Sequence, residues 1–292
     1  MRNCALIHPL HLELETAEII VSREGKQGEE INVVKVVLFA GGLGMRLREY
    51  SESIPKPMVE IGYRPILWHV MKYYSYYGHN EFILCLGHKA DVIKKYFLHY
   101  DECISNDFVL SSSGVNVQLL KSDIDNWRIT FADTGLSSNI GQRLRAIEKY
   151  VGNDEVFLAN YADGLTDFYL PSYLDSFMKQ DKVASFLSVK PTQSFHVVRF
   201  EGEEVAGIQH LGETDTWING GCFILRKEIF SYIREGEELV AEPFRRLIYE
   251  KKLGTVRYNG FWVAMDTFKD KQYLDDLVSR DNAPWQVWKS RD

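Results

Sequence analysis

The 292-residue sequence predicts an α/β domain built on a mostly parallel central sheet. Three observations carry that prediction. Short apolar runs, Val36–Phe39, Phe82–Leu86 and Val156–Asn160, read as strands covered on both faces. Segments with helical apolar spacing alternate with them. Two of the runs also end in loops of unusual chemistry, Ala40-Gly41-Gly42-Leu43-Gly44 and Tyr161-Ala162-Asp163-Gly164, and ligands of such sheets bind beyond the carboxyl ends of the strands.

Taken in order, residues 1–34 stand apart as an N-terminal extension. Within them Leu10 to Val21 alternates loosely as a strand would, and Arg23–Glu30 is a polar linker. From residue 35 to 292 the pattern is that of one domain. Pro65–Gly78 is expected to be a helix with Ile66, Leu67, Val70, Met71 and Tyr74 on one face, and Ala90–Tyr100 a second. Asn116–Leu120 and Arg128–Asp133 read as strands. Gly141–Val151 reads as a helix with Leu144, Ile147 and Tyr150 inward. Strands of an acceptor-binding insertion are expected over about residues 184–226. Glu235–Glu238 should be a solvated loop, Asp270–Ser279 a C-terminal helix, Trp262 a core residue, and Trp285 and Trp288 a packing surface for the tail.

Composition narrows the function classes. A net charge of −7 disfavours a general affinity for nucleic acid or anionic membrane. The four cysteines, Cys4, Cys85, Cys103 and Cys222, form no CxxC pair and fit reduced thiols in a cytoplasmic setting. Cys85 and Cys222 sit in apolar runs as core residues would. No apolar stretch reaches the roughly 18–20 residues that span a bilayer, and the N-terminus lacks a secretory pattern.

The strongest local signal is Phe39-Ala40-Gly41-Gly42-Leu43-Gly44-Met45-Arg46-Leu47 followed by Pro55-Lys56-Pro57-Met58. Three glycines after a strand let backbone amides approach a phosphate chain, Arg46 adds a planar multi-donor cation, and two prolines stiffen the loop that carries Lys56. The spacing is neither the dinucleotide GxGxxG nor a Walker loop. Asp163 and Asp266 each follow an apolar run, where a carboxylate is costly unless paired or metal-bound. Singly, either would pass for a helix cap or a turn residue.

These motifs, with ADTGLSSNIGQRLRAI, NYADGLTDF, WINGGCFIL, GFWVAMDTFKDKQYLDDL and APWQVW, resemble those of the sugar-nucleotide pyrophosphorylases, nearest the glucose-1-phosphate cytidylyltransferases, from about Lys35 to Trp288. The resemblance implies a three-layer α/β/α, Rossmann-like (GT-A-like) nucleotidyltransferase fold, CTP and a phosphorylated small-molecule acceptor as substrates, Mg²⁺ as cofactor, and a cytoplasmic homo-oligomer. It implies that Leu38, Ala40, Gly41 and Gly42 lie against the nucleotide and that Gly44, Met45 and Arg46 cradle its triphosphate. Lys56 would contact the phosphates, Asn139, Gly141 and Arg143 would help bind CTP, and Asp163 and Asp266 would hold the metal. Arg46, Lys56 and Asp163 are the catalytic candidates. The acceptor phosphate, already ionised, would attack the α-phosphorus, so no protein nucleophile is required.

The acceptor half departs from that pattern. The relatives' Glu-Lys-Pro segment is replaced by Gly207-Ile208-Gln209-His210-Leu211-Gly212-Glu213, and Ser194-Phe195-His196 stands where they have Arg-Phe-Gly. Asn219 and Gly220 are kept, and Lys190, His196, Arg199 or His210 could supply the missing donor. Three readings stay open at this point: transfer of CMP to a sugar 1-phosphate such as glucose 1-phosphate, the same transfer to another phosphorylated acceptor, or a non-catalytic nucleotide-sensing relative.

Overall fold

A computed structural model of the chain describes residues 33–42, 54–111, 114, 116–192 and 195–289. The expectations for residues 1–32, and for Gly44, Met45 and Arg46, lie outside them.

The strands in chain order are β1 (Val36–Phe39), β2 (Glu60–Ile61), β3 (Arg64–Pro65), β4 (Glu81–Leu86), β5 (Phe108–Ser111), β6 (Asn116–Leu119), β7 (Arg128–Asp133), β8 (Val156–Tyr161), β9 (Gly164–Thr166), β10 (Ala184–Val189), β11 (His196–Glu201), β12 (Glu204–His210), β13 (Ile218–Asn219), β14 (Phe223–Arg226), β15 (Leu253–Tyr258) and β16 (Trp262–Ala264). The helices are α1 (Ile66–Tyr76), α2 (Ala90–Leu98), α3 (Ile140–Val151), α4 (Leu170–Met178), α5 (Ile229–Tyr232), α6 (Glu242–Tyr249) and α7 (Phe268–Ser279).

Eight strands form the central sheet. β7, β4, β1 and β8 run parallel; β14 is antiparallel to β8, β10 to β14, and β15 is parallel to β10 at the far edge. Only β13 and β14 oppose the rest, so the sheet is mostly parallel. The two-residue period of a strand sends alternate side chains to opposite faces. Val36, Leu38, Phe82, Leu84 and Leu158 join one core with α1, α2, α4 and α7, while Val37, Phe39, Ile83, Cys85, Phe157 and Ala159 join another with α3, α5 and α6. That is the three-layer α/β/α fold the sequence implied.

Sequence and structure part at several points. In α3 the inward residues are Leu144, Ile147 and Val151, whereas Tyr150 is 39% exposed, because Val151 rather than Tyr150 continues the i, i+3, i+4 stripe. The 184–226 segment is not a separate block. β10 and β14 belong to the central sheet, and only the β11–β12 hairpin stands off it. β5 pairs β6 in a second hairpin off the sheet. Glu235 is exposed, but Glu237 is ion-paired to Arg246 and Glu238 is half-buried, so that loop is anchored rather than free.

One irregularity shapes the ligand edge. β13 and β14 would be one strand were they not interrupted at Gly220-Gly221-Cys222, where Gly221 and Cys222 take positive φ of 76° and 48°. Asn160, 3% exposed, repairs the break, its side-chain oxygen accepting from the amides of Cys222 (3.0 Å) and Tyr161 (2.9 Å).

Candidate active site

The carboxyl ends of β1 and β8 open into a cleft of about 430 Å³ lined by Phe39, Gly42, Lys56, Pro57, Ser138, Asn139, Ile140, Arg143, Tyr161, Ala162, Asp163, Glu238 and Asp266. Its centre is an ion cluster. The Lys56 ammonium lies 2.5 Å from an Asp163 carboxylate oxygen and 2.8 Å from one of Asp266.

Local structure explains the convergence. Asp163 immediately precedes β9, which pairs antiparallel with β16, and Asp266 lies just beyond β16. An antiparallel ribbon brings the start of one strand to the end of the other, so the two aspartates share one end. The Met265 amide donates to the Asp163 carbonyl at 3.0 Å and closes that end. Asp266 is fixed further by the capping box of α7, where its amide and that of Thr267 both donate to Asp270. Lys56 opens a single 3₁₀ turn between Pro55 and Pro57, which limits the loop's freedom. Burial pulls the Lys56 pKa down, but Asp163 and then Asp266 outweigh it, and the group ends above its usual value and charged.

Arg143 forms the cleft's second cationic element. It is 3% exposed and donates to Gly41 O (2.9 Å), Thr134 Oγ1 (2.7 Å), Gly135 O (3.0 Å) and Leu86 O (3.2 Å). Burial lowers its pKa, yet a guanidinium remains charged at any ordinary pH. All four acceptors are neutral, Asp133 acts on it only through the field, and it ties together the ends of β1, β4 and β7. The need for glycine at 41 follows, since a Cβ there would lie 2.2 Å from Arg143 Nη1.

Asn139 lines the cleft and is also the N-cap of α3, with a full capping box to Gln142. Gly141 is required by packing, because a Cβ would sit 2.2 Å from the Glu237 carbonyl oxygen. Leu38 and Ala40 are wholly buried, and Phe39 and Gly42 are the residues of the run 38–42 that line the cleft. Among the acceptor candidates, Lys190, His196, His210, Asn219 and Gly220 do not line it. Asn219 comes nearest, its amide 3.5 Å from the Tyr161 hydroxyl. The His210 ring nitrogen accepts from Gly212 N, and Gly220 O accepts from Trp262 Nε1 at 2.8 Å. His196 stacks edge-on against His210, out on the hairpin.

Glu238 was missed by sequence reasoning. Its carboxylate accepts from Ile140 N (3.1 Å) at the start of α3 and faces the cleft beside Tyr161, whose pKa rises to about 12 through burial, Glu238 and Asp163. The run Glu235-Gly236-Glu237-Glu238 carries no sequence signal that sets one acid apart from its neighbours.

Two carboxylates meeting at one cation, with arginine and lysine in a cleft beyond parallel strands, are the kinds of group that a polyanion and its counter-ion would require. The nucleotidyl transferase family model matches residues 35–267, and the chain belongs to that family. It is 37% identical over 258 residues to a glucose-1-phosphate cytidylyltransferase of Salmonella typhi, covering 88% of this chain and all of that one. Similar solved structures include apo-UDP-glucose pyrophosphorylase (TM-score 0.63, 16% identity, 85% of this chain and 99% of that one). HddC from Yersinia pseudotuberculosis complexed with GMP-PN is another (TM-score 0.58, 21% identity, 84% and 100%). At those identities the two structures speak to the fold alone. No helix among the described residues is long and apolar enough to cross a membrane.

Proposed function

We propose that this nucleotidyltransferase transfers CMP from CTP to the phosphate of a sugar 1-phosphate, giving a CDP-linked product and pyrophosphate. The carrying observation is the Asp163–Lys56–Asp266 cluster in the cleft, read together with 37% identity to a protein named glucose-1-phosphate cytidylyltransferase.

The donor set fits a divalent cation. Asp163 and Asp266 offer hard oxygen ligands that already reach a single ammonium, and Mg²⁺ is commonly bound by one or two carboxylates plus substrate phosphates. When bound there, Mg²⁺ would neutralise the triphosphate and make the α-phosphorus more electrophilic. The chain's own residues do the rest. Lys56 places a positive charge where the phosphates enter. Arg143 holds the Gly41 loop and lends its positive charge to the cleft. An acceptor phosphate oxygen then attacks the α-phosphorus as the α–β bridging bond breaks, so positioning and charge neutralisation account for the rate. A cytoplasmic homo-oligomer is part of the same reading. The exposed apolar residues of the β5–β6 hairpin, Phe108, Val109, Leu110 and Val117, support self-association.

The test is pyrophosphate release by purified protein with Mg²⁺, each of the four common nucleoside triphosphates and a panel of sugar 1-phosphates. The expected outcome is release with CTP well above the other three. Absence of pyrophosphate from CTP with every sugar phosphate would reject the proposal.

A further inference from the structure

Beyond the nucleotide cleft, the same edge of the sheet carries a second cationic feature. Trp217, half-buried, has the Lys190 ammonium 4.5 Å from its ring centroid on one contact and the Arg257 guanidinium at 5.4 Å on another. Neither cation forms an ion pair among the described residues. Among the described residues Lys190 donates to the neutral Thr214 carbonyl (2.5 Å). Two like charges gathered on one ring repel, and the contact with the ring's negative face offsets only part of that cost.

Strand register places the cluster relative to the site. Ser188 of β10 is paired with Asn219 on one side and Arg257 on the other, so all three project from the same face. Phe186, two residues earlier on that face, stacks on Phe244 in the core that also receives Phe39 and Tyr161. Tyr161 lines the nucleotide cleft, and Asn219 bridges toward it. Tyr161, Asn219, then Trp217 with Lys190 and Arg257 thus form a row along the carboxyl edge. At about 4.8 Å per strand, β10 and β15 lie roughly 10 to 15 Å from β8. That is too far for these cations to touch the phosphate reacting at Asp163, and about right for the opposite end of the acceptor.

We propose that Lys190, Arg257 and Trp217 bind a second acidic group, carried by the acceptor at the end remote from its reacting phosphate. The inference rests on the cytidylyl-transfer reading and specifies its acceptor: a phosphorylated small molecule with an additional carboxylate, or a second phosphate, over Trp217. Arginine suits such a group because its planar fork meets a carboxylate with two parallel hydrogen bonds.

Matched acceptors test it: glucose 1-phosphate against glucuronic acid 1-phosphate, and glycerol 3-phosphate against 3-phosphoglycerate, each with CTP and Mg²⁺, for wild type, Arg257→Gln and Lys190→Gln. A charge-assisted contact predicts that the acidic member of at least one pair is favoured in kcat/KM by about tenfold or more. Either variant should erase the preference through the acceptor KM, leaving the KM for CTP and the turnover of the neutral member unchanged. Preference for the neutral member in both pairs, or equal losses on both members in the variants, overturns the proposal. Absence of pyrophosphate from CTP with every acceptor overturns the cytidylyl reading and this inference together.

Discussion

Lys56 and Asp266 stand 210 positions apart in the chain and 2.8 Å apart in the fold. A lysine held against two carboxylates satisfies them without metal, and its proline-flanked loop keeps the charge in the cleft. Asp163→Asn keeps the shape and one acceptor oxygen while removing a negative charge. Turnover is expected to fall by about two orders of magnitude or more, with an unchanged circular dichroism spectrum; near-wild-type pyrophosphate release would reject the metal assignment. Much of this was legible beforehand. The glycine turn, the Pro-Lys-Pro loop and both aspartates each break a local expectation, a charge or a glycine placed where a buried strand ends. Glu238 and the Trp217 platform were not legible, because each acts through a partner distant in sequence: the start of α3 for the first, β15 for the second. For Asn139 and Gly141 the resemblance implied ligand contact, whereas the structure gives each a packing or capping duty as well.

The helix α3 shows how an element couples packing to the site. Its first turn carries Asn139, Ile140 and Arg143 into the cleft, and the loop at residues 236–238 rests directly on Gly141. Gly141→Ala places a methyl carbon against the Glu237 backbone, and backbone cannot give way as a flexible side chain can. Overpacking of this kind costs about 1–3 kcal/mol, measurable as a lower urea midpoint. The displaced Glu238 should also raise the KM for CTP. An unaltered midpoint and KM would mean that the loop is freer than its contacts indicate. Apolar runs announced β1, β4, β8 and the helices that cover them, since burial on two faces leaves no polar alternation to misread. The β5–β6 hairpin and the interrupted β13–β14 pair did not announce themselves. The first buries little, and the second depends on Asn160 completing a break made by Gly221 and Cys222.

For the molecule as a whole, acid stability follows from two histidines. His69 and His79 are 3% and 1% exposed, and burial lowers both pKa values to about 4. His69 is held neutral, Nε2 donating to Ile61 O at 2.9 Å while Nδ1 accepts from Trp285 Nε1 at 3.3 Å. An unfolded histidine titrates near 6.5, so below that pH the unfolded state takes up protons the folded state refuses. Stability is therefore full above about pH 6.5 and drains as pH falls toward 4, by up to about 3 kcal/mol for each histidine. Urea melts at pH 7 and pH 5 should show a lower midpoint at pH 5, with a smaller drop in His79→Asn; equal midpoints in the wild type would contradict the linkage.

At the same scale, two cores, one on each face of an eight-stranded sheet, fix the carboxyl edge on which both the ion cluster and the Trp217 platform sit. The most direct test of the account is an anomalous-difference map from crystals grown with CTP and Mn²⁺. It predicts a manganese peak between the carboxylates of Asp163 and Asp266 and in contact with the triphosphate, with Lys56 moved from between them onto phosphate oxygens. A manganese site elsewhere, or Lys56 still clamped by both aspartates beside a bound nucleotide, would contradict it.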